Sequence, residues 1–277
     1  MTRPSLDSLI ALALEAGIVI MEVRDGGVEA MDKMDGSPVT IADQRAEALI
    51  EAGLAKLAPG VPMIGEEAVS EGRIPALDSA FYLVDPIDGT RDFIAGKTGE
   101  FTVNIALIEA GQPVMGVVLA PATGELFAGE VSSGNVGRAI KVKVDGRKGV
   151  ELEPRAAIQT LSSPPASGPR VVASRHSGGD KATAHFLDKI GPHELVSASS
   201  SIKFCKLAEA IADLYPRFGP VNEWDIAAGH AVLKGAGGDL MRLDGVPAYG
   251  SRGEDFSVKG FIAFSGAPAK ALAQGAL

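Results

Sequence analysis

A single cysteine, Cys205, stands in a chain of 277 residues. No intrachain disulfide can form, so packing must hold the fold, and the expected compartment is a reducing cytoplasm. Aromatic side chains are scarce at 5%, while hydrophobic residues make up 46%. The core must then be filled mainly by Ala, Val, Leu and Ile, with enough of them for one large domain or two packed lobes. Positive charge is in deficit: the formal charge is −9 and the isoelectric point about 5.0. A nucleic-acid backbone held by bulk charge is excluded as a partner. A small anion is not, because a few local cations or a metal reverse the field where it matters. No apolar run reaches the length of a membrane span. The first apolar segment, residues 6–23, is interrupted by Asp7, Glu15 and Gly17. It has no basic flank and no small-residue cleavage site, so it reads as a helix rather than a leader.

What is present is a clear succession of elements. Leu6, Leu9, Ile10, Ala13, Leu14 and Ile18 recur at helical spacing after Pro4-Ser5, and Asp25-Gly26-Gly27 ends the run. Thr40 opens a second helix reaching about Leu57. A short strand over 62–65 ends at Glu66-Glu67, and a buried strand over 81–85 follows. Residues 101–109 and 112–120 form a hairpin around Ala110-Gly111, extended by a strand over 125–131. Composition shifts near Gly134. The basic stretch 141–148 reads as a solvated hairpin, and the Ser/Pro-rich stretch 161–168 as a flexible insertion at a lobe junction. From Arg170, strands over 171–174, 194–198, 212–215 and 239–242 alternate with helices over 180–190, 201–210 and 226–235. Gly235 to Gly238 is a helix stop, not a phosphate loop. The expected fold is α/β in one unit: an α+β lobe over about 1–135 carries a metal site, and an α/β lobe over 136–277 carries substrate, with the site between them.

The chemistry-bearing residues are mostly acids. Asp85-Pro86-Ile87-Asp88-Gly89-Thr90 puts two carboxylates and a hydroxyl on a turn directly after an apolar strand. Glu66-Glu67 and Asp225 also lie at element ends. An all-oxygen set selects a hard cation such as Mg²⁺. Each has a plainer reading: a turn with a helix cap for Asp85 and Asp88, surface acids for Glu66-Glu67, a dipole-stabilised first turn for Asp225, and a capping box for Thr40 and Asp43. The three-residue spacing of Asp85 and Asp88 does not match the Asp-x-Asp-x-Thr of phosphatases that use an aspartyl nucleophile. Cys205, beside Phe204 and Leu207, reads as a small core residue.

Gly65-Glu66-Glu67, Asp85 to Thr90, and Trp224-Asp225-Ile226-Ala227-Ala228-Gly229, in that order, resemble the inositol monophosphatase superfamily over nearly the whole chain. The resemblance implies a layered αβαβα sandwich, shared with fructose-1,6-bisphosphatase, and a lithium-sensitive, Mg²⁺-dependent phosphatase. Lys33-x-Asp35-x-Ser37-Pro38-Val39-Thr40-x-x-Asp43, Gly99-Glu100-Phe101-Thr102-Val103-Asn104, and Ser200-Ser201-Ile202-Lys203 with Tyr215-Pro216-Arg217 look like the bacterial bisphosphate nucleotidases of that superfamily. By that likeness the reaction is hydrolysis of the 3′-phosphate of adenosine 3′,5′-bisphosphate to AMP and phosphate. Glu66, Asp85, the Ile87 carbonyl, Asp88 and Asp225 would hold two or three Mg²⁺ ions. Thr90 would position water, with Asp43 as its acidic partner and general base and Glu66 assisting. Gly89, Ser200, Lys203, Arg217 and Asp225 would meet substrate, with Ser174 and His176 near its path. The partner is a small phosphorylated nucleotide, and a homodimer stays open. Some members of the family are peripheral to the inner membrane, but this acidic chain has no basic amphipathic anchor. The alternatives are an inositol-1-phosphate or fructose-1,6-bisphosphate phosphatase, and a non-catalytic nucleotide or metal sensor on the same fold.

Overall fold

The computed structural model describes residues 3–28, 30–32, 38–96, 99–132, 136–173, 181–246, 248–251 and 256–277. Helix α1 (Leu6–Gly26) starts where the Ser5 hydroxyl accepts from the Ser8 N–H at 3.1 Å and stops at Gly27, whose φ is +97°. A ribbon of β1 (Ala30–Asp32) and β2 (Pro38–Thr40) leads into α2 (Ile41–Leu57). Strand β3 (Met63–Gly65), helix α3 (Glu66–Ser70), strand β4 (Ala80–Asp88) and helix α4 (Thr90–Ala95) follow. Then comes a run of β5 (Thr102–Glu109), β6 (Gln112–Ala120), β7 (Glu125–Val131), β8 (Gly137–Asp145), β9 (Val150–Glu151) and β10 (Ala156–Ala157). The first sheet takes the order β10-β8-β7-β6-β5-β4-β3, with β9 paired to β8. Only β3 runs parallel to its neighbour in this sheet.

The second half begins with β11 (Arg170–Ala173), α5 (Lys181–Ile190), β12 (Glu194–Ser197), α6 (Ile202–Ala208) and β13 (Leu214–Arg217). It continues through β14 (Val221–Asn222), α7 (Glu223–Gly235), β15 (Asp239–Arg242), β16 (Ser257–Val258), β17 (Phe261–Phe264) and α8 (Ala267–Gly275). The second sheet takes the order β12-β11-β13-β17-β15. Strands β11, β12 and β13 are parallel, while β17 is antiparallel to both its neighbours.

Three apolar clusters define five layers. The first joins α1 and α2 to one face of the large sheet through Val84, Val103, Ile105 and Leu107. The second packs α6 and α7 between the sheets, using the alternate residues Leu83, Ala106 and Ile108. The third covers the outer face of the small sheet with α5 and α8. This is the αβαβα sandwich that the resemblance implies. The abundance of Gly and Ala has a structural cause in the middle layer. A Cβ on Gly116 would lie 2.6 Å from the Ala228 carbonyl oxygen, and one on Gly129 would lie 2.7 Å from the Val232 Cα. Helix α7 therefore lies directly on the sheet backbone. No described helix is long and apolar enough to cross a membrane.

Several expectations change. The division placed near residue 135 falls inside the β7–β8 hairpin, so the first sheet runs on through Ala157 and the second begins at Arg170. The basic stretch 141–148 is a hairpin, but Lys141 is not solvated freely: it pairs with Glu125 at 2.9 Å and Glu209 at 2.6 Å. No strand was expected at Phe261–Phe264, yet its four residues are all buried between β13 and β15. An unbroken apolar run of four has no alternation to announce a strand.

Candidate active site

The turn after β4 is shaped by its proline. Pro86 has no N–H to give to the ladder, and the Asp85 Oδ1 takes the Ile87 N–H instead, at 3.0 Å. Pairing with β5 runs Asp85↔Asn104 and resumes at Asp88↔Thr102. Two residues, Pro86 and Ile87, thus oppose Val103 alone. In a regular strand, side chains three apart point to opposite faces. The bulge adds the extra step that turns Asp85 and Asp88 to the same face. Gly89 then takes φ +91°, and α4 begins at Thr90, whose hydroxyl donates to the Ile87 carbonyl at 3.1 Å.

Residues from the second half close over this turn. The Ser200 hydroxyl lies 2.9 Å from both the Asp88 and Glu100 carbonyl oxygens. The Ser201 hydroxyl meets the Asp225 carbonyl oxygen at 2.9 Å and the Asp88 Oδ2 at 3.3 Å. The Ser199 N–H donates to Glu100 Oε2 at 3.0 Å. Asp225 lies in the first turn of α7, with its Oδ2 accepting the Asn222 N–H at 2.8 Å in a capping box. The helix was expected to start at Ile226; the cap sets it back to Glu223.

Glu66 enters from α3. The short helix is held by Glu47, whose Oε2 and Oε1 accept the Glu67 and Ala68 N–H groups at 2.8 and 2.7 Å. A Cβ on Gly65 would lie 2.5 to 2.7 Å from that carboxylate, so glycine is needed there. Asp43 sits one turn before Glu47 on α2. Its Oδ2 accepts the Thr40 N–H at 2.8 Å and the Thr40 hydroxyl at 2.6 Å, which is the capping box foreseen as its plainer role. Among the described residues no hydrogen bond joins Asp43 to Thr90.

The acids act on one another. Burial drives the Asp85 carboxyl well above its ordinary value, and repulsion from Glu66, Asp88, Asp225 and Asp43 adds to it. Asp225 is likewise well raised, by burial and then by Asp88, against the Asn222 N–H. Asp88 is raised by burial, opposed first by Lys203. Burial also raises Asp43, against its hydrogen bonds with Thr40. Five carboxylates thus share one field, with Lys203 and Arg217 as the cations that offset Asp88 and Asp225. Lys203 is 7% exposed, its Nζ 5.2 Å from the Tyr215 ring centroid. The Arg217 Nη2 reaches the Pro220 carbonyl at 3.4 Å, and its buried Nε has no hydrogen-bond partner among the described residues.

An oxygen-only donor set with excess negative charge at apolar depth suits a hard divalent cation. Among the described residues no three acids are already closed into a metal-binding group. The fit therefore rests on donor chemistry and shared electrostatics rather than on finished coordination geometry. A cavity of about 480 Å³, lined by Glu51, Leu54, Met63 and Arg73 among others, lies elsewhere and includes none of the five acids.

Glu66, Asp88, Asp225 and Asp43 all act on Asp85 through the field they share, and the Thr90 hydroxyl sits on the Ile87 carbonyl. Lys203 and Arg217 act electrostatically on Asp88 and Asp225 respectively. The Ser200 hydroxyl and the missing Gly89 side chain are engaged in joining the two halves: a Cβ on Gly89 would lie 2.4 Å from the Ser200 Oγ. Lys33, Asp35, Ser37, Ser174 and His176 lie outside the described residues. Cys205 is fully buried, as expected of a core residue. Sequence reasoning missed Glu47, Glu100 and Ser201. Glu47 left a signal: it stands four residues after Asp43 on the face of Ala42, Ala46 and Ile50, where an acid is out of place. Glu100 and Ser201 stood in the quoted motifs, but their roles did not show, since their contacts cross from one half to the other.

A model of the inositol monophosphatase family matches residues 2–275. A relative named 3′(2′),5′-bisphosphate nucleotidase CysQ, from Shigella flexneri, is 42% identical over 258 residues, covering 92% of this chain and 98% of the relative. The protein of that name from Escherichia coli K12 is 41% identical over 258 residues, with the same coverage of both chains. Among solved structures, CysQ from Bacteroides thetaiotaomicron, described as a bacterial member of the same family, superposes with a TM-score of 0.73 at 33% identity, over 94% of this chain and 96% of that one. A Thermotoga maritima IMPase superposes with a TM-score of 0.74 at 24% identity, over 98% and 96% of the two chains, which extends the fold likeness alone.

Proposed function

The chain belongs to the inositol monophosphatase family, and from that premise we propose that it is a phosphatase acting as a 3′(2′),5′-bisphosphate nucleotidase. The family is generally metal-dependent, and the reading here takes Mg²⁺, in two or three ions, as the metal. The substrate is adenosine 3′,5′-bisphosphate, cleaved to AMP and phosphate.

One observation carries the chemistry: the β4 bulge turns Asp85 and Asp88 to a single face, where Glu66 and Asp225 share their field. Glu66, Asp85, Asp88, Asp225 and the Ile87 carbonyl would hold the cations. When bound, they supply positive charge that offsets the phosphoryl oxygens and the departing 3′ oxygen and makes nearby water more acidic. Thr90 orients that water from the N-terminus of α4. Asp43, with Oδ2 committed to Thr40, has Oδ1 left to accept the proton. The attack then displaces the 3′ oxygen with no covalent enzyme intermediate, which agrees with the buried, inert Cys205.

The second phosphate needs cations outside the metal set. Lys203 and Arg217 are those cations, anchored in α6 and β13 rather than on a loop. Identity of about 40% to bisphosphate nucleotidases over nearly their whole length supports this choice over an inositol or sugar phosphate.

The test is phosphate release from adenosine 3′,5′-bisphosphate, inositol 1-phosphate and fructose 1,6-bisphosphate, with and without Mg²⁺. The reading expects the highest kcat/KM on the bisphosphate nucleotide and no turnover without metal. Equal or better efficiency on inositol 1-phosphate would overturn the substrate assignment.

A further inference from the structure

The face of β5 that looks toward the middle layer changes character along its length. The cross-strand pairs with β4 run Phe81↔Ile108, Leu83↔Ala106, Asp85↔Asn104 and Asp88↔Thr102. Apolar residues oppose apolar ones, and each acid opposes a neutral polar side chain. Directly opposed residues in an antiparallel pair bring their Cβ atoms to about 5 Å on one face. On its other side Asn104 opposes Val118, so its polarity is matched only toward Asp85.

Asn104 and Thr102 are both 0% exposed. Neither atom of the Asn104 amide and not the Thr102 hydroxyl has a hydrogen-bond partner among the described residues. Asparagine is a poor strand former, and a buried amide without a partner is unfavourable. Packing therefore does not explain Asn104 on a sheet face shared with Leu83, Ala106, Ile108 and Val118, where leucine would do better. Chemistry does. A further acid opposite Asp85 would add repulsion to a cluster already in excess. A hydrocarbon there would leave the carboxylate with the Ile87 N–H as its only hydrogen bond among the described residues. A neutral amide and a neutral hydroxyl supply donors without charge.

We propose that Asn104, with Thr102 beside it, is a positioning residue that orients the Asp85 and Asp88 carboxylates for cation binding. The Asp85 Oδ1 is already fixed by the Ile87 N–H, and the Asn104 amide, without a partner among the described residues, is the group left to donate to the other oxygen once a cation is bound. Hydrogen bonds behind ligating carboxylates set their direction and the affinity of the site. The inference rests on the reading of Asp85 and Asp88 as cation ligands.

The test uses the full-length protein and Mg²⁺ alone, by titration calorimetry without substrate, alongside the melting temperature of the metal-free protein and the kcat and KM of turnover. Asn104→Leu should weaken Mg²⁺ binding by about 10- to 100-fold while leaving the metal-free melting temperature unchanged or higher. Turnover at saturating substrate should need correspondingly more Mg²⁺, with KM for the nucleotide little changed. Thr102→Val should move the same quantities in the same direction, by less. A variant that binds Mg²⁺ as tightly as the parent but melts lower would make Asn104 a packing residue and overturn the proposal. If Asn104→Leu does not fold, Asn104→Ala, which removes the amide without filling its space and so should melt lower, carries the same expectation for Mg²⁺ affinity, and unchanged affinity in it overturns the proposal. A parent protein that binds no Mg²⁺ would instead remove the cation reading itself, a result distinct from tight binding in the variant.

Discussion

Two buried groups of charge lie side by side at the first turn of α7, and they are built in opposite ways. Asp225 belongs to the acid cluster, where burial and mutual repulsion raise carboxyls that have few cations to answer them. Two residues earlier, Glu223 belongs to a closed network. Arg242 donates to Glu223 at 2.8 Å and to Asp244 at 2.9 Å, and the Gly250 N–H meets the other Glu223 oxygen at 2.7 Å. The Arg242, Glu223 and Asp244 side chains are 5%, 1% and 1% exposed. Burial still raises Glu223 against Arg242, whereas Arg242 overcomes burial at Asp244 and holds it low. The first group is offset only in part, by Lys203 and Arg217, and keeps an excess of negative charge; the second answers its charge within the fold and so fixes the helix that carries Asp225. Buried charge alone marks neither role. The balance of signs does.

That contrast can be broken first at its acid side. Asp85→Asn should lower kcat by about 10³-fold, because a ligand is lost, yet raise the melting temperature of the metal-free protein, because repulsion is relieved. Loss of stability together with activity would place Asp85 in the closed class instead. Arg242→Met should do the reverse of that stability change. It strands two buried acids and should destabilise the protein by about 3–5 kcal/mol in urea unfolding, with activity following the folded fraction.

Smaller effects test how the turn is joined to the second half. Gly89→Ala forces a Cβ at φ +91° to within 2.4 Å of the Ser200 Oγ. A loss of about 2 kcal/mol or more is expected, with reduced kcat because Asp88 and Thr90 flank the shift. Ser200→Ala removes the hydroxyl that reaches the Asp88 and Glu100 carbonyls, and should cost about 1 kcal/mol in unfolding experiments. A larger rise in KM than in unfolding free energy would return Ser200 to the substrate-contact role expected from its motif.

The sequence made the acids legible and left their arrangement hidden. Glu66, Asp85, Asp88 and Asp225 stood out because they end apolar elements, and three motifs in order point to the family. That Asp85 and Asp88 share a face could not be read from spacing, since a regular strand puts them on opposite sides; it follows from a bulge whose register only the partner strand defines. The contacts of Glu100 with Ser199 and of Ser201 with Asp88 were illegible for the same reason, although both residues were quoted in motifs, as those contacts span about a hundred residues of chain. Asn104 and Thr102 were quoted as part of a motif, but their burial opposite the acids depends on pairing. In the fold, five of the helices and most of the longer strands followed from apolar periodicity and caps such as Thr40 with Asp43, whereas the short α3 and α4, the C-terminal α8 and the two- and three-residue strands β1, β2, β9, β10, β14 and β16 did not. Phe261–Phe264 did not, because a short uniformly apolar strand carries no period, and β8 was hidden by its lysines, which the structure pairs with acids.

The central claim is that the acid cluster waits for a cation. Its most direct test is the melting temperature of the parent protein between pH 5 and 8, with and without Mg²⁺. Asp85 and Asp225 titrate in the folded protein well above their ordinary value of 3.8. The folded state therefore binds more protons than the unfolded chain above that value. The stability these groups contribute is complete below it and is lost as pH rises through their raised values. The metal-free protein should melt lower as pH increases, and Mg²⁺, which binds the ionised carboxylates, should restore stability more at pH 8 than at pH 5. A melting temperature indifferent to Mg²⁺ across that range would contradict the account.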